Sequence, residues 1–408
     1  MTTGLTCRHM LITNARRRDG SRVSVRLEGQ RIAAVDHVLG AVPGEEVVDL
    51  GGDMLLPAFA EPHAHLDKAF LAERISNESG DLLGAISAMG AARHLLNVPD
   101  IAERAERAVR LLAANGCTTI RTHADTVPDH GLRSIEALVE VRRRVADVAD
   151  LEIVALTGWP VTGVAGADSR ALLREAMAIG ADLVGGCPHL DRDPAGANEV
   201  LLEIAAQSGV SVDLHTDETL DASVLSLQDL AERVIRGGFP HRVTASHCVS
   251  LGVQDETTQH WVAELVARAG ISVVALPQTN LFLQGRDHPQ AMPRGVTAVR
   301  ALMRAGVTVC AGADNLQDPF NPLGRGDPLE TAGLMIATAH LLPDQALDAV
   351  TSQVYAALAR DVPELEVGRP ANLVALPCAT VREAIAFGPA HRRVWHRGRR
   401  VAKDATCS

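Results

Sequence analysis

MLLPAFAEPHAHLDKAF, residues Met54 to Phe70, opens apolar and closes polar. The start, Met54-Leu55-Leu56, reads as a buried strand, and the end reads as the mouth where such a strand hands over to its loop. His63 and His65 stand two apart. On a strand, side chains at i and i+2 face the same way, so both imidazoles can reach one point in space. Two such nitrogens can begin a metal site completed by ligands from elsewhere. The same pair also occurs by chance on surface turns, so the rest of the chain has to supply the context.

Working outward, short apolar runs alternate with amphipathic stretches. The runs are Leu55–Ala60, Cys117–Thr122, Glu152–Leu156, Asp182–Gly185, Ser211–His215, Arg242–Ser246, Ile271–Leu276 and Val307–Ala311. Between them lie helical patterns such as Ile101–Ala114, Gly131–Ala146, Ala197–Gln207 and Asp255–Ala269, several closed by glycine before the next run, as at Gly180, Gly209 and Gly270. Glycine just past a helix is the expected C-cap. Eight β-then-α units in series predict a (β/α)8 TIM-like barrel. A doubly wound open sheet is the alternative, but no G-x-G-x-x-G follows the first run. Before the barrel, Met10–Ile12, Val23–Leu27, Arg31–Val35 and Glu46–Leu50 read as short strands separated by turn residues. Strand signals return in Val367–Leu376 and Ala390–Val401 after the helical patterns Pro328–Leu341 and Pro343–Ala359. The expected organisation is a small β-sandwich domain built from both chain ends, residues 1–54 plus 362–408, around a barrel over residues 55–361.

The composition is that of a globular protein: 408 residues, 47% hydrophobic and 22% charged. A net charge of −11 argues against nucleic acid as a partner. Seven scattered cysteines (7, 117, 187, 248, 310, 378 and 407) show no C-x-x-C spacing and suggest reduced thiols in a cytoplasmic protein. The PC-x-x-C signature of zinc nucleoside deaminases is absent. No export signal or membrane span is expected. A small-molecule substrate is the expected partner, and a homo-oligomer is left open.

The polar residues at the run ends form a set. The first run leads to His63 and His65, the fifth to His215, Asp217 and Glu218, the sixth to His247, and the eighth to Asp314 and Asn315. In a barrel these ends share the face that carries catalysis. Three histidines and an aspartate can hold one borderline divalent cation with a position left for water, which lowers that water's pKa toward about 7. Each residue also has an ordinary reading: His215 or His247 as a hydrogen-bonded core histidine, Asp314 as a helix N-cap, Glu218 as a helix-start glutamate. Their joint placement favours the site. Glu218, three residues past His215, is the candidate proton shuttle. His123, in RTHAD, is either a supporting residue of the site or a structural one.

EPHAHLDK, RTHAD, HTDE, ASHC and GADN, in that order over Leu55 to Thr331, resemble the amidohydrolase superfamily, with most likeness to its cytosine deaminase-like group. Leu281–Arg286, Pro293–Thr297 and Asp318–Gly324 strengthen that likeness. The resemblance implies His63, His65, His215 and Asp314 as metal ligands, with His247 hydrogen-bonding the hydroxide and stabilising the oxyanion, and Asp314 also accepting the water's proton. No lysine lies in Ala181–Leu190, where binuclear members carry a carboxylated one. The resemblance therefore implies a single divalent ion, Zn or Fe.

Two departures concern the substrate. The group's substrate-binding glutamine has no counterpart in Ala155–Pro160, and its second aspartate is Asn315 here. Asn315 and Lys68 instead resemble N-isopropylammelide amidohydrolase; the role of Lys68 is open. Trp159, Gln278, Asn280, Asn315 and Phe320 are candidates to line the substrate pocket. The expected activity is hydrolytic C–N cleavage on a small nitrogen heterocycle by metal-activated hydroxide. The alternatives are an amidase with the same metal centre and, from another class, a non-catalytic binding protein on this fold.

Overall fold

The computed structural model describes residues 9–401. Cys7, Cys407 and the outer ends of the expected 1–54 and 362–408 unit lie outside the described residues. Two sheets organise the chain. Five strands precede the barrel: β1 (His9–Arg16), β2 (Arg22–Glu28), β3 (Arg31–Asp36), β4 (Glu46–Asp49) and β5 (Met54–Pro57). The barrel strands are β6 (Phe59–Ala64), β7 (Cys117–Thr126), β8 (Asp150–Thr157), β9 (Leu183–Gly186), β10 (Val212–Thr216), β11 (Val243–His247), β12 (Ser272–Ala275) and β13 (Val309–Ala311). The last three are β14 (Leu373–Leu376), β15 (Arg393–His396) and β16 (Arg399–Arg400).

Strands β6 to β13 pair in sequence order, each parallel to the next, with helices between them. This is the (β/α)8 barrel expected from the alternation. Its closure between β13 and β6 is partly main chain, through the Asp314 N–H donating to the His63 carbonyl at 3.1 Å. The rest runs through Glu61. Its buried carboxylate accepts the Ala313 N–H at 3.0 Å and the His63 N–H at 3.1 Å. Gly312 is required at this seam, because a Cβ there would lie 2.3 Å from the Glu61 carboxylate.

The run expected as a single first strand, Leu55–Ala60, is divided. Met54–Pro57 pairs antiparallel with β14 in the other sheet, and the barrel strand starts only at Phe59. A continuous apolar run is equally at home in either sheet, and Pro57-Ala58 is where the chain crosses over. The second sheet, in order β16-β15-β14-β5-β1-β2-β3 with β4 beside β1, is built from both chain ends, as expected. It folds over a core of its own in which Ile12, Val25, Leu55, Leu373 and Trp395 are buried together. Arg392 ties this unit to the barrel: its guanidinium grips both oxygens of Asp327, at 2.9 and 2.7 Å, and donates to the Asn115 carbonyl. The helical pattern Pro343–Ala359 is two helices, Pro343–Ala349 and Ser352–Ala357. A helix not foreseen in the sequence, Leu82–Ala92, lies between β6 and the first regular barrel helix, Val98–Ala114. Among the described residues no helix is long and apolar enough to cross a membrane.

Candidate metal centre

The barrel interior is wired by alternation. Glu61 and His63 stand at i and i+2 on β6, with His65 one residue past its end; Arg121, His123 and Asp125 follow the same spacing on β7, and Asp213 and His215 on β10. All of these side chains except Asp125, which is partly exposed, are buried. At the C-terminal mouth the backbone departs from regular strand: Asp217, His247 and Asp314 have φ of 51°, 70° and 64°. Left-handed conformations of this kind cost about 1–3 kcal/mol each and collect at functional sites. At His247 the turn matters directly. It lets neighbouring residues Ser246 and His247 both serve the interior, which strict alternation forbids.

Ligand atoms of His63, His65 and Asp314 converge within 4.8 Å of one another, and His215 approaches the two histidines. His215 Nε2 lies 3.2 Å from His63 Nε2 and 3.1 Å from His65 Nε2. Asp314 Oδ1 lies 3.6 Å from His63 Nε2 and 3.4 Å from His65 Nε2. Bonds of about 2.1 Å in a tetrahedron place ligand atoms about 3.4 Å apart, and the separations of Asp314 from His63 and His65, and of His215 from the same two histidines, are of that size. Neither Asp314 oxygen accepts a close hydrogen bond among the described residues, although both are buried. An unsatisfied buried carboxylate is costly. Burial accordingly pushes the acid up to about 8, against the opposing pull of the Thr279 hydroxyl. A cation offsets that cost. Burial, followed by repulsion from neighbouring cationic groups, holds His63, His65 and His215 well below the ordinary histidine value. They are the neutral imidazoles a metal requires.

A second group, His63, His123 and His215, also converges. His123 stacks on His63 with ring centroids 3.9 Å apart, and its ring nitrogens make no hydrogen bond among the described residues, although Nε2 lies 3.7 Å from Asp213 Oδ1. Asp314 is missing from that group, and the Asp314 oxygens would be left unsatisfied by it. The set containing Asp314 therefore fits a cation better.

The candidate ligands are held from behind. The Ser246 hydroxyl donates to Asp213 Oδ1 at 3.0 Å, so it accepts from His63 Nδ1 at 2.9 Å. Asp213 is gripped in turn by Arg121 at 2.8 Å, and Arg121 by Glu152 at 2.7 Å. Lys68 Nζ sits 3.2 Å from His65 Nδ1 and pairs with Asp125 at 2.7 Å. His247 Nδ1 lies 3.0 Å from Asn280 Oδ1 and 3.6 Å from Glu218 Oε1, and its Nε2 has no partner among the described residues. Burial, and then the Asp314 carboxylate, raise Glu218 well above the ordinary glutamate value.

These groups face one cavity at the C-terminal mouth of the barrel. Its wall includes Trp159, Asn315 and Phe320 of the residues expected there, together with His65, His215, Glu218, His247 and Asp314. Gln278 is not in the wall; its amide donates to the Thr331 hydroxyl at 2.7 Å. Asn280 is buried behind His247, outside the lining. Gly158 is in the wall, but a Cβ there would press on Val127 at 2.8 Å, so the glycine serves packing and does not by itself open space. Sequence reading passed over Arg93, Asp125, Cys187 and the apolar face Leu82, Ile86 and Met89, all in the wall.

The family model described as "Amidohydrolase family" matches residues 71–402. Pterin deaminase of Rhizobium rhizogenes is 37% identical over 377 residues, 90% of this chain and 84% of that protein. N-isopropylammelide isopropyl amidohydrolase of Pseudomonas is 25% identical over 397 residues, 92% of each chain. The crystal structure of 5-methylcytosine deaminase from Klebsiella pneumoniae, liganded with phosphonocytosine, superposes with a TM-score of 0.89 at 31% identity. It covers 98% of this chain and 99% of that one.

Proposed function

The chain belongs to the amidohydrolase family, and from that premise we propose that it is a mononuclear metal-dependent aminohydrolase. It replaces an amino group on a small nitrogen heterocycle by oxygen, releasing ammonia. The observation that carries this reading is the convergence of His63, His65, His215 and Asp314 beside Glu218 and His247 on one cavity. The four residues would hold one divalent cation, Zn or Fe, since imidazole and carboxylate donors suit such borderline ions. When bound, the cation supplies Lewis acidity and brings a water's pKa toward about 7.

The protein's own groups do the rest. The Glu218 carboxyl, held protonated by burial, gives its proton to a ring nitrogen; the carboxylate then takes the two protons of the attacking water in turn, passing the first to the departing amine and keeping the second. The net exchange is one water consumed and one ammonia released per C–N bond broken. His247 acts as an acceptor. Asn280 Oδ1 faces both His247 Nδ1 and the Gln284 amide nitrogen at 3.4 Å, so the imidazole proton sits on Nδ1 and the Nε2 lone pair stays free. Burial keeps this ring neutral, at about 3. His247 therefore orients the water instead of donating to an oxyanion. Asn315 is tied to Asp318 at 2.7 Å, which fixes its amide in the wall.

We favour a bicyclic aminopteridine-type substrate over a single pyrimidine ring. Likeness to the pterin deaminase supports this. So does the apolar wall of Leu82, Ile86, Met89 and Trp159, which suits a flat ring. The reading includes the two-unit division of the chain and a cytoplasmic location, in keeping with five unpaired cysteines among the described residues. The test is ammonia release by metal-loaded protein over aminopteridines, cytosine, 5-methylcytosine and aminotriazines. An aminopteridine should give the highest kcat/KM. If cytosine leads at about 10⁴ M⁻¹s⁻¹ or more, the substrate assignment is wrong.

A further inference from the structure

Two opposite charges share the cavity wall and do not pair with each other. Arg93, at the end of the helix Leu82–Ala92, donates through Nη1 to both oxygens of Asp129, each at 3.0 Å. Asp125, at the end of β7, accepts Lys68 Nζ on Oδ1 at 2.7 Å. Each charge is thus anchored by another residue. What remains is unused on both: Arg93 Nε is buried without a partner, and no donor among the described residues bonds the second Asp125 oxygen.

A buried N–H with no acceptor costs about 1–3 kcal/mol, and an arginine already fixed at one edge loses little entropy on receiving a ligand at the other. Asp125 is one side chain removed from the metal ligand His65, through Lys68. Arg93 lies farther out, anchored to the exposed Asp129. A ligand bridging them presents a donor nearer the reacting centre and an acceptor farther out. It carries no net charge on that edge, because one carboxylate and one guanidinium await it. A secondary lactam, with N–H beside C=O, has this pattern.

We propose that Asp125 and Arg93 are specificity residues that together read a lactam edge of the bound heterocycle, Asp125 taking the ring N–H and Arg93 donating to the carbonyl. This deepens the aminohydrolase reading and rests on it for the identity of the reaction, while the recognition itself is a matter of binding. The substrate class it selects is an oxo-substituted amino-heterocycle. Rings whose edge carries only acceptors, or only donors, leave one of the two groups unpaired and bind weakly.

The test compares 2-amino-4-oxopteridine with 2-aminopteridine, which lacks both the carbonyl and the ring N–H of the lactam, by calorimetry on the metal-loaded full chain. The measurement uses a Glu218→Gln background chosen to slow turnover. Arg93→Met should weaken binding of the oxo compound roughly ten- to hundred-fold and leave 2-aminopteridine within about two-fold. Arg93→Lys should restore part of the loss for the oxo compound alone. Asp125→Asn should also weaken the oxo compound, and retained metal content in that variant shows that the loss is not collapse of the centre. Equal weakening of both compounds, no weakening, failure of the oxo compound to bind, or tighter binding of 2-aminopteridine than of the oxo compound to the parent site would overturn the proposal. Ammonia release by the parent protein is scored separately. Arg93-dependent binding without any ammonia sinks the aminohydrolase reading and leaves the lactam recognition standing; ammonia release indifferent to Arg93 does the reverse.

Discussion

His63 Nδ1 lies 2.9 Å from the Ser246 hydroxyl, and that contact decides which nitrogen of the imidazole is free. Because Ser246 spends its proton on Asp213, His63 must spend its own on Ser246, and Nε2 is left bare toward His65, His215 and Asp314. Partners of this kind behind a ligand set its tautomer and orientation, and their loss typically costs 10–100-fold in metal affinity. Ser246→Ala should therefore weaken metal binding by roughly 10–100-fold in chelator competition, with the fold intact by circular dichroism. An unchanged affinity would mean that the Ser246–Asp213–Arg121 chain serves packing alone.

Metal affinity should depend on pH through Asp314. With burial holding its acid at about 8 in the absence of a cation, binding below that value must expel a proton. The three histidines add no slope near neutrality, since burial already keeps them neutral. The sign follows: affinity rises with pH, by up to about tenfold per unit between about pH 6 and 8, and then levels. Calorimetric titration of metal-stripped protein across that range checks it. A flat profile would show that Asp314 is ionised without the metal or does not bind it.

Glu218→Gln removes the proton carrier and keeps the shape. Turnover should fall by about 10²-fold or more, the usual scale for a general acid–base group, with metal content unchanged. Parent-like turnover would make Glu218 an ordinary wall residue and leave the proton path without a carrier.

Arg392, beside β15, and Asp327, before the barrel helix Pro328–Ala339, form a buried bidentate pair. Breaking such a pair leaves a charge without its partner and costs about 3–5 kcal/mol. Arg392→Ala should lower unfolding stability by that amount in urea denaturation. A change under about 1 kcal/mol would mean that water replaces the guanidinium.

Much of this was legible before the structure, because period two in strands is a strict rule. His63 and His65 declared themselves by it, and Glu218, His247 and Asp314 by their position at run ends. The same rule would also have found Asp213, two before His215, and Arg121 and Asp125, two either side of His123. Ser246 was hidden for the opposite reason: alternation turns it away from His247, and only a left-handed φ of 70° at His247 brings both to the interior. Arg93 was invisible because its helix lies in the long connection after β6, where Gly84, Gly90 and several alanines blur any helical stripe. The Met54–Leu56 run was assigned to the barrel because an apolar run carries no label for the sheet it joins.

The most direct test is a metal titration of catalysis. Protein stripped by chelator and incubated with 2-amino-4-oxopteridine should release no ammonia. Zn or Fe(II) should restore release in proportion to added ion and saturate at about one equivalent per chain, the count a four-ligand site holds. Full activity in the stripped protein, saturation only at two equivalents, or no ammonia from any metal-loaded sample would contradict a single-metal aminohydrolase.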